Sequence, residues 1–234
     1  MKFLNYIFFS IIDFIYPPIC SVCNQLSDRK ELPVCSNCWN TFTAVSPAHP
    51  TWIEIKSKII SRGNVEDLCS CYLFESEGNL QKAIHLLKYG GMTSIGVHLG
   101  RDIGSAMARM PELLDADYII PVPLHRRKRR ERGYNQSEFI CKGINGIVHV
   151  PVVPPLLSRV RYTQTQTHLN LGERIRNVYE AFVVPEKYIP IVKGKTIIIV
   201  DDVITTGSTI DSCAGQLILS GARKVFALSA ALAD

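Results

Sequence analysis

The chain has 234 residues, of which 47% are hydrophobic and 20% charged, and its formal net charge is +5. This length accommodates one medium domain and one small module, and the composition excludes a disordered or fibrous chain. Six of the 26 lysines and arginines lie within residues 126–132, so the distribution of charge predicts a local anion-binding site rather than a uniformly basic surface.

Residues 1–16 are strongly apolar and predict an N-terminal helix that ends at Pro17-Pro18. As a helix this run is about 20 Å long, shorter than the ~30 Å core of a bilayer. Only Lys2 supplies positive charge, Asp13 interrupts the run and no cleavage site follows, so a secretory signal fits poorly. We expect a helix packed on a cytoplasmic protein; the alternatives are an interfacial helix at the inner face of the membrane and a targeting signal.

Residues 17–45 predict a small zinc ribbon. Two residues separate Cys20 from Cys23 and also Cys35 from Cys38, and eleven residues lie between the pairs. Two such pairs can converge on one tetrahedral ion, and soft thiolates favour Zn²⁺. Four cysteine ligands leave no open position, so the metal would be structural. Unrelated thiols or two disulfides are the alternatives, but a chain with a large predicted core favours reduced thiols.

Residues 46–77 are predicted as a connection with one short strand, and residues 78–234 as the main domain. Helical spacing of apolar residues predicts a helix that ends at Gly90-Gly91 and a second helix after it. Further strands are expected at 118–122, 150–153, 182–184, 196–200 and 225–228, and helices at 138–147 and from about Thr209 to Gly221. Alternating strands and helices predict an α/β fold with a mostly parallel sheet and helices on both faces.

The strand at 118–122 leads into the basic segment PVPLHRRKRRERGYNQSE, which is predicted as a loop before a helix. Its arginines could clamp a pyrophosphate through bidentate contacts. The candidate pyrophosphate-binding residues are Pro123, Arg126, Arg127, Arg130, Arg132, Gly133, Tyr134 and Asn135. A solvated basic loop and a nucleic-acid patch are the alternatives.

A polar stretch at residues 159–177, RVRYTQTQTHLNLGERIRN, lacks the pattern of a core element. Long loops of this kind are often lids over a site. The candidate lid residues are Arg161, Thr163, Gln164, Gln166 and Arg174. Plain surface residues are an equally open interpretation.

The most informative segment is VDDVITTGST, residues 200–209, which joins a buried strand to a helix. Gly207 permits a tight turn, and amides and hydroxyls at the helix N-terminus favour a phosphate. A phosphate would repel Asp201 and Asp202, so these carboxylates need ribose hydroxyls, a divalent metal or both. The candidate ligand-binding residues are Asp201, Asp202, Val203, Thr205, Thr206, Gly207, Ser208 and Thr209. Simple strand-end and helix-cap roles explain each part taken singly, but not the combination.

This segment resembles the motif that binds phosphoribosyl pyrophosphate (PRPP) in type I phosphoribosyltransferases. The motifs LKYGG, PVPLHRRKRRERGYNQSE, RVRYTQTQTHLNLGERIRNV and VDDVITTGST occur in this order, and the combination is similar to the ComF family of ComFC and GntX-type proteins. The resemblance runs from about residue 15 to the C-terminus. It implies a type I phosphoribosyltransferase fold with an N-terminal four-cysteine zinc motif.

By the same resemblance, Asp201 and Asp202 bind the ribose 2′- and 3′-hydroxyls and residues 205–209 bind the 5′-phosphate. The basic segment would bind pyrophosphate, and residues 162–176 would form a mobile loop that closes over PRPP. The implied activity is Mg²⁺-dependent transfer of phosphoribosyl from PRPP to an acceptor that the sequence does not identify, in the service of natural competence and DNA uptake. No catalytic residue is assigned.

Two other functions stay open at this point. The first is a non-catalytic module that senses PRPP and binds single-stranded DNA through the ribbon and the basic segment, with Trp39, Trp52 and Tyr134 available for base stacking. The second is an adaptor that docks to a competence helicase or channel protein through the N-terminal helix.

Overall fold

The structure, a computed structural model, describes residues 17–29, 31–154, 156–160 and 181–233. The predicted N-terminal helix at 1–16 and the candidate lid residues Arg161, Thr163, Gln164, Gln166 and Arg174 lie outside the described residues. Within the described ranges, no helix has the length and apolar character needed to cross a membrane.

The described strands are β1 (Leu68–Leu73), β2 (Tyr118–Pro121), β3 (Ser158–Arg159), β4 (Phe182–Val183), β5 (Thr196–Ile204) and β6 (Lys224–Leu232). The described α-helices are α1 (Ser36–Trp39), α2 (Pro50–Ile60), α3 (Asn79–Tyr89), α4 (Thr93–Met107), α5 (Pro111–Leu114), α6 (Arg126–Arg132), α7 (Gln136–Asn145), α8 (Ile189–Val192) and α9 (Ser208–Leu219). A 3-10 turn, Glu186–Tyr188, precedes α8.

Strands β1, β6, β5 and β2 form a parallel four-stranded sheet in that order. Ile198 and Val200 of β5 pack with α3, α4 and α7, whereas Ile197 and Ile199 pack with α2 and α9 on the opposite face. All four of these side chains are fully buried, as expected for a parallel strand covered on both sides. The predicted α/β fold, with a parallel sheet between two layers of helices, is confirmed.

The segment predicted as a connection, residues 46–77, contributes to this main body. It contains α2 and also β1, which pairs in parallel with β6. Ala44, at the end of the cysteine module, forms an antiparallel bridge with Tyr72 on the outer side of β1. The sheet is therefore completed by residues that precede the predicted main domain, because strand pairing joins segments that are distant in sequence.

Helices α4 and α7 cross in backbone contact at Gly100 and Gly143. A Cβ atom added to Gly100 would lie 2.0 Å from the carbonyl oxygen of Ile140, and one added to Gly143 would lie 2.0 Å from that of Val97. Neither backbone can move without separating the helices. Only glycine therefore permits this crossing.

We expect Gly100→Ala to lower the free energy of unfolding by about 2–3 kcal/mol, because overpacking outweighs the better helix propensity of alanine. Urea unfolding measures the change. The matched control is Ser105→Ala, which introduces the same residue on the exposed side of α4 and should leave stability nearly unchanged. Equal stability of Gly100→Ala and wild type would contradict the close crossing.

Candidate functional site

The two aspartates of the VDDVITTGST segment lie at the carboxyl end of the sheet. Strand β5 ends at Ile204 rather than at the predicted Val200, because its pairing with β6 continues to the Ile204–Leu232 pair. Asp201 and Asp202 therefore belong to the strand itself. Loops beyond this edge of a parallel sheet are where ligands bind in open α/β folds.

A turn with exposed hydroxyls separates β5 from α9. Gly207 has φ 71° and ψ 2°, and an added Cβ would lie 2.4 Å from Cγ1 of Ile59, so both backbone conformation and space require glycine. Thr205 and Thr206 are exposed, and Oγ1 of Thr206 lies 2.9 Å from Oγ of Ser208. The turn can accommodate an anion that approaches from solvent.

Backbone amides at the start of α9 face this turn. The first bond within the helix joins the Asp211 N–H to the Gly207 carbonyl at 2.9 Å, so the three preceding amides have no partner inside the helix. Such amides and the positive end of the helix dipole favour a phosphate. Ser208 and Thr209 are half-buried there, as is Val203 on β5.

Asp202 is enclosed by partners from two other elements. The residue is 4% exposed, Nε2 of Gln136 donates to its Oδ1 at 3.0 Å, and Lys88 forms an ion pair with its Oδ2. Lys88 belongs to the LKYGG motif and Gln136 to the end of the basic segment. The sequence placed both residues in motifs but did not indicate that they meet at Asp202.

The surroundings of Asp201 shift the pKa of its carboxyl group. Its Oδ1 accepts hydrogen bonds from the Asp202 amide at 2.9 Å and from Oγ of Ser137 at 3.4 Å. Burial, and then the negative charge of Asp202, raise the pKa of Asp201 to about 8. Two adjacent carboxylates that cannot both ionise easily favour a bound cation or a set of hydroxyl donors.

Arg62, Asn64 and Asp211 form a cluster of polar contacts next to the turn. Asp211 of α9 is 2% exposed, and it accepts a hydrogen bond from Nδ2 of Asn64 at 2.9 Å. Arg62 lies 3.9 Å from the Asp211 carboxylate and donates from Nη2 to the Thr206 carbonyl at 3.4 Å. Arg62 and Asn64 precede β1 in the chain. The sequence did not indicate their contacts with Asp211 and Thr206, because only the folded chain brings them next to α9.

The basic segment contains a helix, α6, so the prediction of a loop was wrong. The His125 side chain caps its first turn by accepting the Arg127 N–H at 3.2 Å. Gly133, with φ 84°, ends the helix in the left-handed conformation. The i,i+4 ion pair between Arg127 and Glu131 adds support.

The candidate pyrophosphate-binding residues divide into buried and exposed groups. Pro123 and Asn135 are buried, and Asn135 donates to the Val122 carbonyl at 2.9 Å while it accepts the Ser137 amide at 3.2 Å. The Tyr134 hydroxyl donates to the Leu87 carbonyl. The side chains of Asn135 and Tyr134 therefore hold neighbouring elements in place.

The other candidates lie on or just beyond α6. Arg126, Arg127 and Arg130 are exposed, as is Gly133, whereas Arg132 is half-buried. Arg132 bonds to Gln136, and its guanidinium lies 5.1 Å from the centroid of the Tyr89 ring. No ion pair to another described residue is found for Arg126 or Arg130.

Two cavities flank α6. A cavity of about 140 Å³ is lined by Lys88, Tyr89, Lys128, Glu131 and Arg132. A second, of about 500 Å³, lies on the other side, and its lining includes Pro123, Arg126, Arg129 and Arg159. Each cavity exposes several cationic side chains.

The cysteine module forms a geometric metal site. The sulfur atoms of Cys20, Cys23, Cys35 and Cys38 all lie within 4.8 Å of one another, with 3.9 Å between Cys20 and Cys38 and 3.8 Å between Cys23 and Cys35. Four thiolates around one Zn²⁺ at about 2.3 Å would be about 3.8 Å apart. The separations are too long for disulfides, in which sulfurs are about 2.05 Å apart. The four cysteines can therefore hold one tetrahedral metal ion.

The thiols of this cluster have pKa values that are shifted in opposite directions. Burial opposes ionisation of Cys20, but backbone N–H hydrogen bonds from neighbours such as Cys35 lower its pKa to about 6. Burial and the adjacent thiols raise the pKa of Cys38. A divalent metal favours deprotonation of all four cysteines, because it stabilises the four thiolates together.

The cysteine module packs tightly on the main domain through Trp39. The Trp39 indole donates to Oδ2 of Asp102 at 3.2 Å, and the Tyr72 hydroxyl donates to the same oxygen at 2.8 Å. Trp39 is only 8% exposed. It is therefore not available for stacking on a nucleic-acid base, whereas Trp52 and Tyr134 are half-buried.

No family model matches the chain. The chain is 36% identical to the DNA utilization protein YhgH of Shigella flexneri over 149 residues, which are 62% of this chain and 64% of that protein, less than two thirds of its length. It is 32% identical to YhgH of Salmonella typhimurium over 210 residues, covering 88% and 87% of the two chains. It is also 32% identical to competence protein F of Haemophilus influenzae over 119 residues, covering 50% and 51%.

Two solved structures are similar over 58% of this chain and 26% of theirs, each at 20% identity. One is the allosteric regulatory enzyme of purine biosynthesis, with a TM-score of 0.37. The other is the glutamine PRPP amidotransferase from B. subtilis, complexed with ADP and GMP, with a TM-score of 0.40.

Proposed function

Because this chain belongs to the ComF family, the family of YhgH and competence protein F, we propose that it binds PRPP with Mg²⁺ and transfers the phosphoribosyl group to an acceptor. One observation supports this most strongly. A pair of adjacent carboxylates lies at the carboxyl edge of the sheet, one turn away from a helix N-terminus whose first amides have no partner inside the helix and which is flanked by exposed hydroxyls. Sugar hydroxyls and a terminal phosphate need these two kinds of partner side by side.

In this proposal the two aspartates and the turn after β5 bind different parts of PRPP. Asp201 and Asp202 accept hydrogen bonds from the ribose hydroxyls, and residues 205–209 surround the 5′-phosphate with amides and hydroxyls. The acceptor forms a bond to C1 of the ribose while the bond from C1 to the diphosphate oxygen breaks. The electron pair of the broken bond leaves with the diphosphate. Fixed positive charge near the leaving group stabilises the charge that develops there.

The like-charge conflict between Asp201 and Asp202 fits a bound cation. Mg²⁺ prefers carboxylate oxygens and substrate phosphates. When bound, it supplies positive charge to the diphosphate. For the cysteine cluster we propose Zn²⁺ in a structural role, since the sulfur separations match a closed tetrahedral site.

A second candidate is a non-catalytic module that senses PRPP and binds single-stranded DNA. It is favoured by α6, where Arg126, Lys128 and Arg130 are exposed and have no ion pair with another described residue. Such cations suit a phosphate backbone. That this chain docks to a competence helicase or channel protein also remains a proposal.

Calorimetry of the purified protein tests the proposal. We expect PRPP to bind in the presence of Mg²⁺ and to bind at least about tenfold more weakly with a chelator, because the diphosphate charge is then not compensated. Absence of PRPP binding in Mg²⁺ would refute it. Release of pyrophosphate during turnover with an acceptor supports the transferase. PRPP binding without release, together with DNA retention that falls steeply with salt, supports the second candidate.

A further inference from the structure

Lys88 occupies a position that the sequence motifs do not explain. It lies in the last turn of α3, and its ammonium pairs with Asp202 although its own side chain is 25% exposed. The end of α3 is fixed, because Gly90 donates to the Leu86 carbonyl at 2.8 Å and the Tyr134 hydroxyl donates to the Leu87 carbonyl. The backbone at Lys88 is thus fixed beside the aspartate pair, and the ion pair with Asp202 positions its ammonium.

The same side chain lines the 140 Å³ cavity between α3 and α6. Lys88, Lys128 and Arg132 contribute positive charge to this cavity, and Glu131 is the only acid among the described residues that line it. Glu131 is already paired with Arg127, so the cavity keeps an excess of positive charge. An ammonium has three N–H donors, and one contact to Asp202 leaves donors for a second anion.

Building on the proposed function, we propose that Lys88 binds the diphosphate group of PRPP in this cavity, together with Lys128 and Arg132. Its ion pair with Asp202 places the ammonium next to the carboxylate that accepts from the ribose. One residue therefore connects the sugar-binding carboxylate and the diphosphate. This proposal assigns the diphosphate to one face of α6, the side of Lys128 and Arg132, and not to the side of Arg126 and Arg129.

The experiment is calorimetry with inorganic pyrophosphate, in parallel with PRPP, always in Mg²⁺. We expect Lys88→Met to weaken pyrophosphate binding by about 10- to 100-fold, the loss of one charge-assisted contact. Lys88→Arg should restore most of it, because arginine keeps the charge and the donors. The matched control is Lys82→Met, an exposed lysine of the same helix, which should bind as wild type does.

Lys88→Met leaves the buried Asp202 without its cation, so its folding is checked by thermal melting. Lys128→Met supplies an independent variant, because Lys128 is exposed and its loss should not disturb the core. It should weaken pyrophosphate binding by about tenfold and leave ribose 5-phosphate binding, which lacks the diphosphate, nearly unchanged.

Each outcome decides the inference. It is overturned if wild type binds no pyrophosphate, or if Lys128→Met and folded Lys88→Met bind it as tightly as wild type. If pyrophosphate binding depends on Lys88 and Lys128 but PRPP does not bind, the cavity is a diphosphate site, while its occupation by PRPP and the proposed transferase function both fail. If PRPP binds wild type and both variants equally, the proposed function holds and the inference fails.

Discussion

The double substitution Asp201→Asn with Asp202→Asn is expected to weaken PRPP binding by at least about 100-fold, since each lost charge-assisted hydrogen bond contributes roughly 1.5–3 kcal/mol. Asparagine keeps the shape of the side chain but cannot take on the negative charge that pairs with Mg²⁺ and hydroxyl donors. The amide also presents an N–H₂ group where an acceptor is needed. Calorimetry with PRPP in Mg²⁺ measures the loss.

Stability distinguishes a lost ligand contact from a damaged fold. Because the pKa of Asp201 is raised from 3.8 to about 8, the folded protein holds a proton in this window that the unfolded chain has released. Its free energy of unfolding therefore falls as pH rises from 3.8 to about 8. Asp201→Asn alone removes this contribution, so we expect a shallower pH dependence of stability in urea unfolding.

The control for both measurements is Asp115→Asn, an exposed aspartate far from β5 in sequence, which should match wild type in PRPP affinity and in the pH dependence of stability. Unchanged PRPP affinity in the double variant would remove Asp201 and Asp202 from the binding site. A large loss of stability in that variant would instead indicate a structural role for the aspartate pair.

Cys38→Ser is expected to remove the metal and to release the cysteine module from the main domain. A four-thiolate zinc site contributes on the order of 10–16 kcal/mol to the folding of a small module, far more than a module of this size gains from its own apolar core. Metal analysis should find about one ion per chain in the wild type and almost none in the variant.

Trp39 gives a direct optical readout, because it follows Cys38 in the chain and is buried against the main domain. Its emission should shift toward that of a solvent-exposed indole when the metal is lost. The matched control is Cys71→Ser, the same substitution at a half-buried cysteine outside the four-cysteine cluster, which should keep the ion. A metal-free wild type with Trp39 still buried would contradict the metal site.

The sequence predicted well those features that depend on neighbours along the chain. Buried positions at helical spacing identified α3 and α4, the β-branched run identified the core of β5, and the two cysteine pairs identified a site whose sulfurs do converge. The α/β class followed from the alternation of strands and helices. Each of these patterns is contained in a short segment, so local propensity and periodicity are sufficient.

Short elements at the edges were predicted less well. Arginines and lysines carry no apolar period, so α6 resembled a loop, although its helical form depends on the His125 cap and on Gly133. The end of β5 was placed at Val200, where the uninterrupted apolar run stops, yet pairing with β6 extends the strand through the two aspartates. In both cases a cap or a partner strand outweighed the local preference.

The sequence by itself determined the residue types of the candidate site: two carboxylates, a glycine turn, hydroxyls and a helix N-terminus within ten consecutive positions. Only the tertiary structure decided what surrounds them. Lys88 and Gln136 reach Asp202, and Arg62 reaches the Thr206 carbonyl, because parallel strands bring the ends of separate segments to one edge. Such contacts depend on the order of strands in the sheet, which no single segment encodes.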